Sequence, residues 1–93
     1  MKSYHYPIEE TWTTEEIIDV IEFFNLIEKA YESTVNRVDL LESYRQFKKV
    51  VPSKSEEKQY FSQFEHSSGY SSFHAVKLAR DSENNEISLN SSR

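Results

Sequence analysis

The sequence predicts an all-α fold: a compact bundle of about four short helices, with an N-terminal arm and a flexible C-terminal tail. Three observations carry this expectation. One glycine and two prolines in 93 residues are too few for the many turns of an all-β domain. Helix-start signatures recur along the chain. Behind them, apolar residues return with the helical period of 3.6. A chain of this length makes one small domain. The boundaries expected are 1–80 for the helical domain, with 1–12 as its arm, and 81–93 for the polar tail.

The first helix begins at Thr13-Thr14-Glu15-Glu16. This is a capping box, with Thr13 as N-cap and Glu16 reaching back to it; Trp12 and Ile17 hold the positions of a hydrophobic staple. The helix is expected to run to about Glu32. Ile17, Val20, Ile21, Phe24, Ile27 and Tyr31 share one face, bordered by Phe23, while Glu15, Asp19, Glu22 and Lys29 lie opposite. Ile18 and Leu26 fall on the polar side. The simpler account is that the arm covers them with Tyr4, Tyr6 and Ile8; the alternative is a partner or self-association surface. Glu28 falls inside the apolar arc, near enough to the helix end to reach water.

Asn36 starts the second helix as N-cap, with Asp39 at N3 and Val35 and Leu40 as a staple. Leu40, Leu41, Tyr44, Phe47 and Val51 share a face, and Pro52 stops the helix at or before Val51. Ser53-Lys54-Ser55-Glu56 then forms a second capping box and opens a third helix with Tyr60, Phe61 and Phe64 inward. Gly69, the single glycine, stands where a left-handed residue ends that helix. Ser71 or Ser72 caps a fourth helix to about Arg80, with Phe73, Val76 and Ala79 on one side and Phe73 expected in the core. The remainder, DSENNEISLNSSR, is polar, lacks a helical period and is expected to be dispensable for folding.

Charge is uneven. Residues 1–32 hold two lysines against eight acids, a balance of −6. Residues 33–80 hold eight Lys/Arg against five acids, a balance of +3, and the last thirteen contribute −2, for a net −5. The acidic first part disfavours non-specific nucleic-acid binding. No cysteine is present, which excludes disulfides and thiolate metal sites and fits a reducing compartment. MKSYHYPIEE has no apolar signal segment and no run approaches a membrane span, so a cytoplasmic protein is expected.

Motifs for chemistry are few. Ser55 and Lys58 have the S-x-x-K spacing of some acyl-transfer enzymes. A lysine base must be neutral, however, and Glu56 and Glu57 keep Lys58 charged. No glycine-rich loop offers oxyanion donors nearby. His5, His66 and His74 have no ligand spacing, and no nucleotide, zincin or hydrolase motif is present. No enzyme activity, cofactor, metal or small-molecule substrate is therefore expected. FEHSSGYSSFHAVKLAR has the outline of a helix-turn-helix, with Gly69 at the turn and His74, Lys77 and Arg80 towards phosphate. Glu65 and Ser68 stand where that motif wants small and apolar residues, which favours a plain helical hairpin. Arg45, Lys48, Lys49, Lys54 and Lys58 form a basic cluster; Lys48 and Lys49 also complement a helix C-terminus.

Two long stretches, YPIEETWTTEEIIDVIEFFNLIEKAYE and LLESYRQFKKVVPSKSEEKQYFSQFEHSSGYSSFHAVKLA, together resemble the YktA-like family of small uncharacterised bacterial proteins. The resemblance covers about residues 4–80, and TWTTEEII, VPSKSEEK and SGYSS are its most specific pieces. It implies a small all-helical protein of unknown function from a Gram-positive bacterium, and brings no catalytic residues with it. The function expected is that of an interaction or accessory protein, binding an unknown protein partner or itself. Its candidate partner surface is Ile18, Leu26, Arg45, Lys48 and Lys49. The alternative is a nucleic-acid-binding protein that uses the helix-turn-helix-like region, residues 54–80; sequence-specific DNA recognition by this domain is not expected.

The helix-start assignment separates two serines. Ser53→Ala removes an N-cap and is expected to cost about 0.5–2 kcal/mol in chemical denaturation. Ser55→Ala, at N2, is expected to cost less; a larger loss at Ser55 would overturn the assignment.

Overall fold

A computed structural model describes residues 6–89. Four helices appear in order: α1 (Thr14–Glu32), α2 (Arg37–Val50), α3 (Lys54–Ser68) and α4 (Ser72–Asp81). A two-residue strand, β1 (Val35–Asn36), joins α1 to α2, and a second, β2 (Glu86–Ile87), follows α4. The all-α class stands.

Each helix starts where a side chain satisfies its free N–H groups. Thr13 and Glu16 complete a reciprocal capping box on α1. The Asn36 carboxamide accepts from the Val38 and Asp39 amides, Ser53 from Glu56, and Ser71 from His74. Gly69 ends α3 at φ 82°, a backbone region that glycine enters without steric cost.

The core is largely aromatic. Phe23, Phe24, Phe47 and Phe64 are fully buried, with Val20, Ile27, Leu40, Val51 and Phe61 around them. Phe23 of α1 stacks on Phe47 of α2 at 4.9 Å and on Phe61 of α3 at 5.8 Å between ring centroids. The buried face of α1 centres on Val20, Phe23, Phe24, Ile27 and Ala30; Ile17, Ile21 and Tyr31 flank it, half-buried. The face is rotated towards Phe23 relative to the expected one, because α2 packs on that side.

The arm lies elsewhere than expected. The Tyr6 ring stacks near Phe24 and Phe64. Its hydroxyl lies 2.7 Å from Asn25 Oδ1 and 2.6 Å from Glu28 Oε2, and its one proton serves them in turn. Desolvation raises the Glu28 carboxyl above its usual range, against the Tyr6 hydrogen bond. Ile18 is left 55 % exposed and Ile8 39 %; Leu26 is half-buried against the core. The expected cover over Ile18 is therefore absent among the described residues, since Tyr6 binds the side of α1 facing α3. Tyr4 and His5 lie outside the described residues.

Two further expectations are corrected. Phe73 points outward and is 66 % exposed, because α4 buries Ser72, Ala75, Val76 and Ala79 instead. Residues 82–89, expected within the tail, return to the core. Val35 pairs with Ile87 and Asn36 with Glu86, antiparallel. Ile87 is 5 % exposed. The Leu89 amide donates to the Ala30 carbonyl and the Arg37 amide to the Asn85 carbonyl, both at 2.8 Å. Arg37 Nε reaches the Ala79 carbonyl at 2.8 Å, satisfying the end of α4. Residues 90–93 lie outside the described residues.

Two side-chain links hold the helices in place. Tyr31 stacks flat on Tyr70 at 4.7 Å, and its hydroxyl donates to the Ser71 carbonyl while accepting from the Ser71 amide. This fastens the α3–α4 turn to the end of α1. Between α2 and α3, Glu57 accepts from the Tyr44 hydroxyl at 2.7 Å and from Lys48 Nζ at 2.6 Å. Desolvation and the adjoining Glu57 carboxylate push the Tyr44 phenol up to about 12, with Arg80 opposing.

Ile87→Ala is expected to destabilise the fold by about 2–4 kcal/mol, as for other large-to-small core changes, and to lower the thermal midpoint by roughly 10–20 °C. An unchanged midpoint would show that the strand pair adds nothing. Because the folded state holds the Tyr44 proton more tightly than the unfolded chain, stability is expected to fall as pH rises from about 10 to about 12. Tyr44→Phe should make that part of a pH–denaturation profile less steep, the remainder coming from Tyr60, which burial and the Glu9 carboxylate also push up to about 12.

Candidate functional site

The first two turns of α3 and the exposed side of α4 enclose an open groove of about 820 Å³. The Ser53 cap fixes where α3 begins, and so places Lys54, Ser55, Glu57, Lys58 and Phe61 along one wall. The Gly69 turn and the Ser71 cap fix α4, whose Phe73, Val76, Lys77, Arg80 and Asp81 form the other. Tyr44 closes the floor from α2. Phe61 and Val76 are buried and make the base apolar, while Phe73 stands free above it.

Four cations face two carboxylates here, and both carboxylates are engaged. Glu57 is held by Lys48 and Tyr44; Asp81 pairs with Lys77 at 3.0 Å. Among the described residues, Lys54 and Lys58 make no ion pair. Both are exposed. The groove thus combines an apolar floor, an exposed ring and a surplus of positive charge. It suits an anionic ligand that also has apolar surface to bury.

The partner-surface residues singled out from sequence lie on two helices. Ile18 and Leu26 belong to α1. Arg45, Lys48 and Lys49 share a side of the last turns of α2, but Arg45 pairs with Glu42 at 3.0 Å and Lys48 is held by Glu57. Lys49 is exposed. Ser55 and Lys58 both line the groove, and the Ser55 hydroxyl lies 3.2 Å from that of Ser53. His66 and His74 are exposed. Among the described residues no group of three or more His, Cys, Asp or Glu could hold a metal ion, and no helix is long and apolar enough to cross a membrane.

Phe73 is the site residue that the sequence concealed. The stripe Ser72, Ala75, Val76 and Ala79 follows i, i+3, i+4, i+7 better than Phe73, Val76 and Ala79 do. A serine at its head disguised it.

The chain matches the model of an uncharacterised protein family, UPF0223, over residues 3–88. It is 60 % identical over 87 residues to UPF0223 protein OB1419 of Oceanobacillus iheyensis, covering 94 % of this chain and 99 % of that one. It is 51 % identical over 84 residues to UPF0223 protein SSP1692 of Staphylococcus saprophyticus, covering 90 % and 91 %. With UPF0223 protein YktA of Bacillus subtilis it shares 49 % identity over 86 residues, 92 % of this chain and 98 % of that one. The resemblance drawn from TWTTEEII, VPSKSEEK and SGYSS is thereby borne out, and the chain belongs to the UPF0223 family.

Proposed function

We propose that this protein is a small non-catalytic interaction module of the bacterial cytoplasm, which docks an acidic segment of a protein partner in the α3–α4 groove. One observation carries the reading: Phe73, 66 % exposed, stands over an apolar floor in a groove shared with Lys54 and Lys58, which make no ion pair among the described residues. The ring and the apolar floor beneath it together offer a partner contiguous apolar surface with a polar rim. Aromatic side chains ringed by charge are also the common anchors of protein interfaces. The unpaired cations would steer an acidic partner and set its register.

Nucleic acid is the second reading, favoured by the same ring and the same cations, since bases stack on exposed aromatics. Two features weigh against it. Glu57 and Asp81 lie within the groove, where they would repel a phosphate backbone. The acidic first part of the chain, with its balance of −6, opposes the whole approach.

A photo-crosslinking residue in place of Phe73, irradiated in the native bacterium, tests the choice. The expected outcome is a protein adduct that disappears when Lys58→Glu and Lys77→Glu are added. A nuclease-sensitive adduct would overturn the protein reading. So would a protein adduct indifferent to both charge reversals.

A further inference from the structure

We propose that the segment this groove accepts is a short amphipathic helix, with an apolar seam flanked on both sides by Glu or Asp. The inference rests on the docking role proposed above and names the shape of the ligand.

Length is the first ground. The α3 wall runs from Lys54 to Phe61 and the α4 wall from Phe73 to Asp81. At about 1.5 Å per residue these spans are roughly 10 and 12 Å, about two turns of helix. Two turns present apolar residues at i, i+3 or i+4, and i+7.

The arrangement of charge is the second. Lys54 and Lys58, four residues apart, line the α3 rim. Lys77 and Arg80, three apart, line the α4 rim. Glu57 on the first rim is held by Lys48 and Asp81 on the second by Lys77, so each rim keeps a net positive charge, with Phe61 and Val76 buried between them. Only a ligand with acids on both sides of an apolar stripe matches this cross-section. In a helix the residues flanking the stripe lean towards the two rims. In a strand, alternate side chains point away from the groove altogether.

Hydrogen bonding is the third. The walls are helices, whose backbone groups beyond the first-turn amides are paired within them, so the groove offers no sheet edge. An extended segment laid on this floor would lose water from its N–H and C=O groups without recovering partners, and that is costly. A helix brings its own hydrogen bonds. Grooves between paired helices accept amphipathic helices on the same grounds in other proteins.

The probe is a synthetic peptide of about fourteen residues, four turns, capped at both ends, with Leu at helical spacing and Glu on both flanks. A second peptide has the same composition in alternating Leu/Glu order. A third has Lys in place of Glu. The helix-patterned acidic peptide is expected to bind the full chain, gain helical circular dichroism on binding, and weaken by about tenfold or more with Phe73→Ala or with Lys58→Glu/Lys77→Glu. The Lys peptide should bind only the charge-reversed variant. All three substitutions fall on exposed positions, so folding is retained and checked by the same spectrum. Equal or tighter binding of the alternating peptide would overturn the helical ligand while leaving acidic docking in place. Absence of binding by either acidic peptide at roughly 1 mM would also overturn it; the crosslink at position 73 decides separately on the groove itself.

Discussion

Three helices meet on one ring. Phe23, fully buried in the middle of α1, has the rings of Phe24, Tyr44, Phe47 and Phe61 within 6 Å of its centroid. A domain of this size buries a modest share of its surface, and without cysteine it has no covalent brace. Large flat side chains then give the most buried area per residue, with a further gain from their contact geometry. Stacked rings also fix separations, because planes in contact leave little latitude in distance. The positions of α2 and α3 relative to α1 follow from this stack, and so does the place where the α3 wall of the groove can stand.

The fourth helix is attached by different means. Its buried residues are Ser72, Ala75, Val76 and Ala79, all small, so it approaches closely and contributes no ring to the core. Small residues leave few ways to pack, and α4 is accordingly secured by polar links at both ends. The Tyr31–Tyr70 stack and the Tyr31–Ser71 hydrogen bonds fasten its start. The Arg37 guanidinium on the Ala79 carbonyl fastens its finish. The aromatic residue of α4 is thereby left on the outside. Phe73 is exposed as a consequence of how its helix is anchored, and the groove inherits its most unusual component from that.

The parts legible in the sequence are those governed by local chemistry. Thr13, Asn36, Ser53 and Ser71 cap helices through bonds to amides two or three residues away, so a short window suffices to see them. Gly69 is legible because few other residues enter the left-handed region without strain. What escaped depends on distant partners. Ile87 and Leu89 look like strays in a polar stretch, and the backbone pairing that draws them in has no side-chain signature. Ile18 stands uncovered because Tyr6 found two acceptors and two rings on another side of α1. Size alone argues for Phe73 inward, whereas a close helix–helix approach demands small residues. The groove joins walls from α3 and α4 over a floor from α2, so no single window of sequence contains it.

The pairing of Val35 with Ile87 has a consequence for how the molecule is made. The two partners are separated by the whole of α2, α3 and α4, and β2 leaves the ribosome after all of them. Helices form from neighbouring residues and can assemble while synthesis continues. The slot beside β1 must wait. Until β2 arrives, Val35 is uncovered and the Ala30 carbonyl lacks its Leu89 donor. The pairing is thus a contact of long sequence separation in a fold otherwise built from neighbouring helices, and its chain-closure entropy must be met before its hydrogen bonds can form.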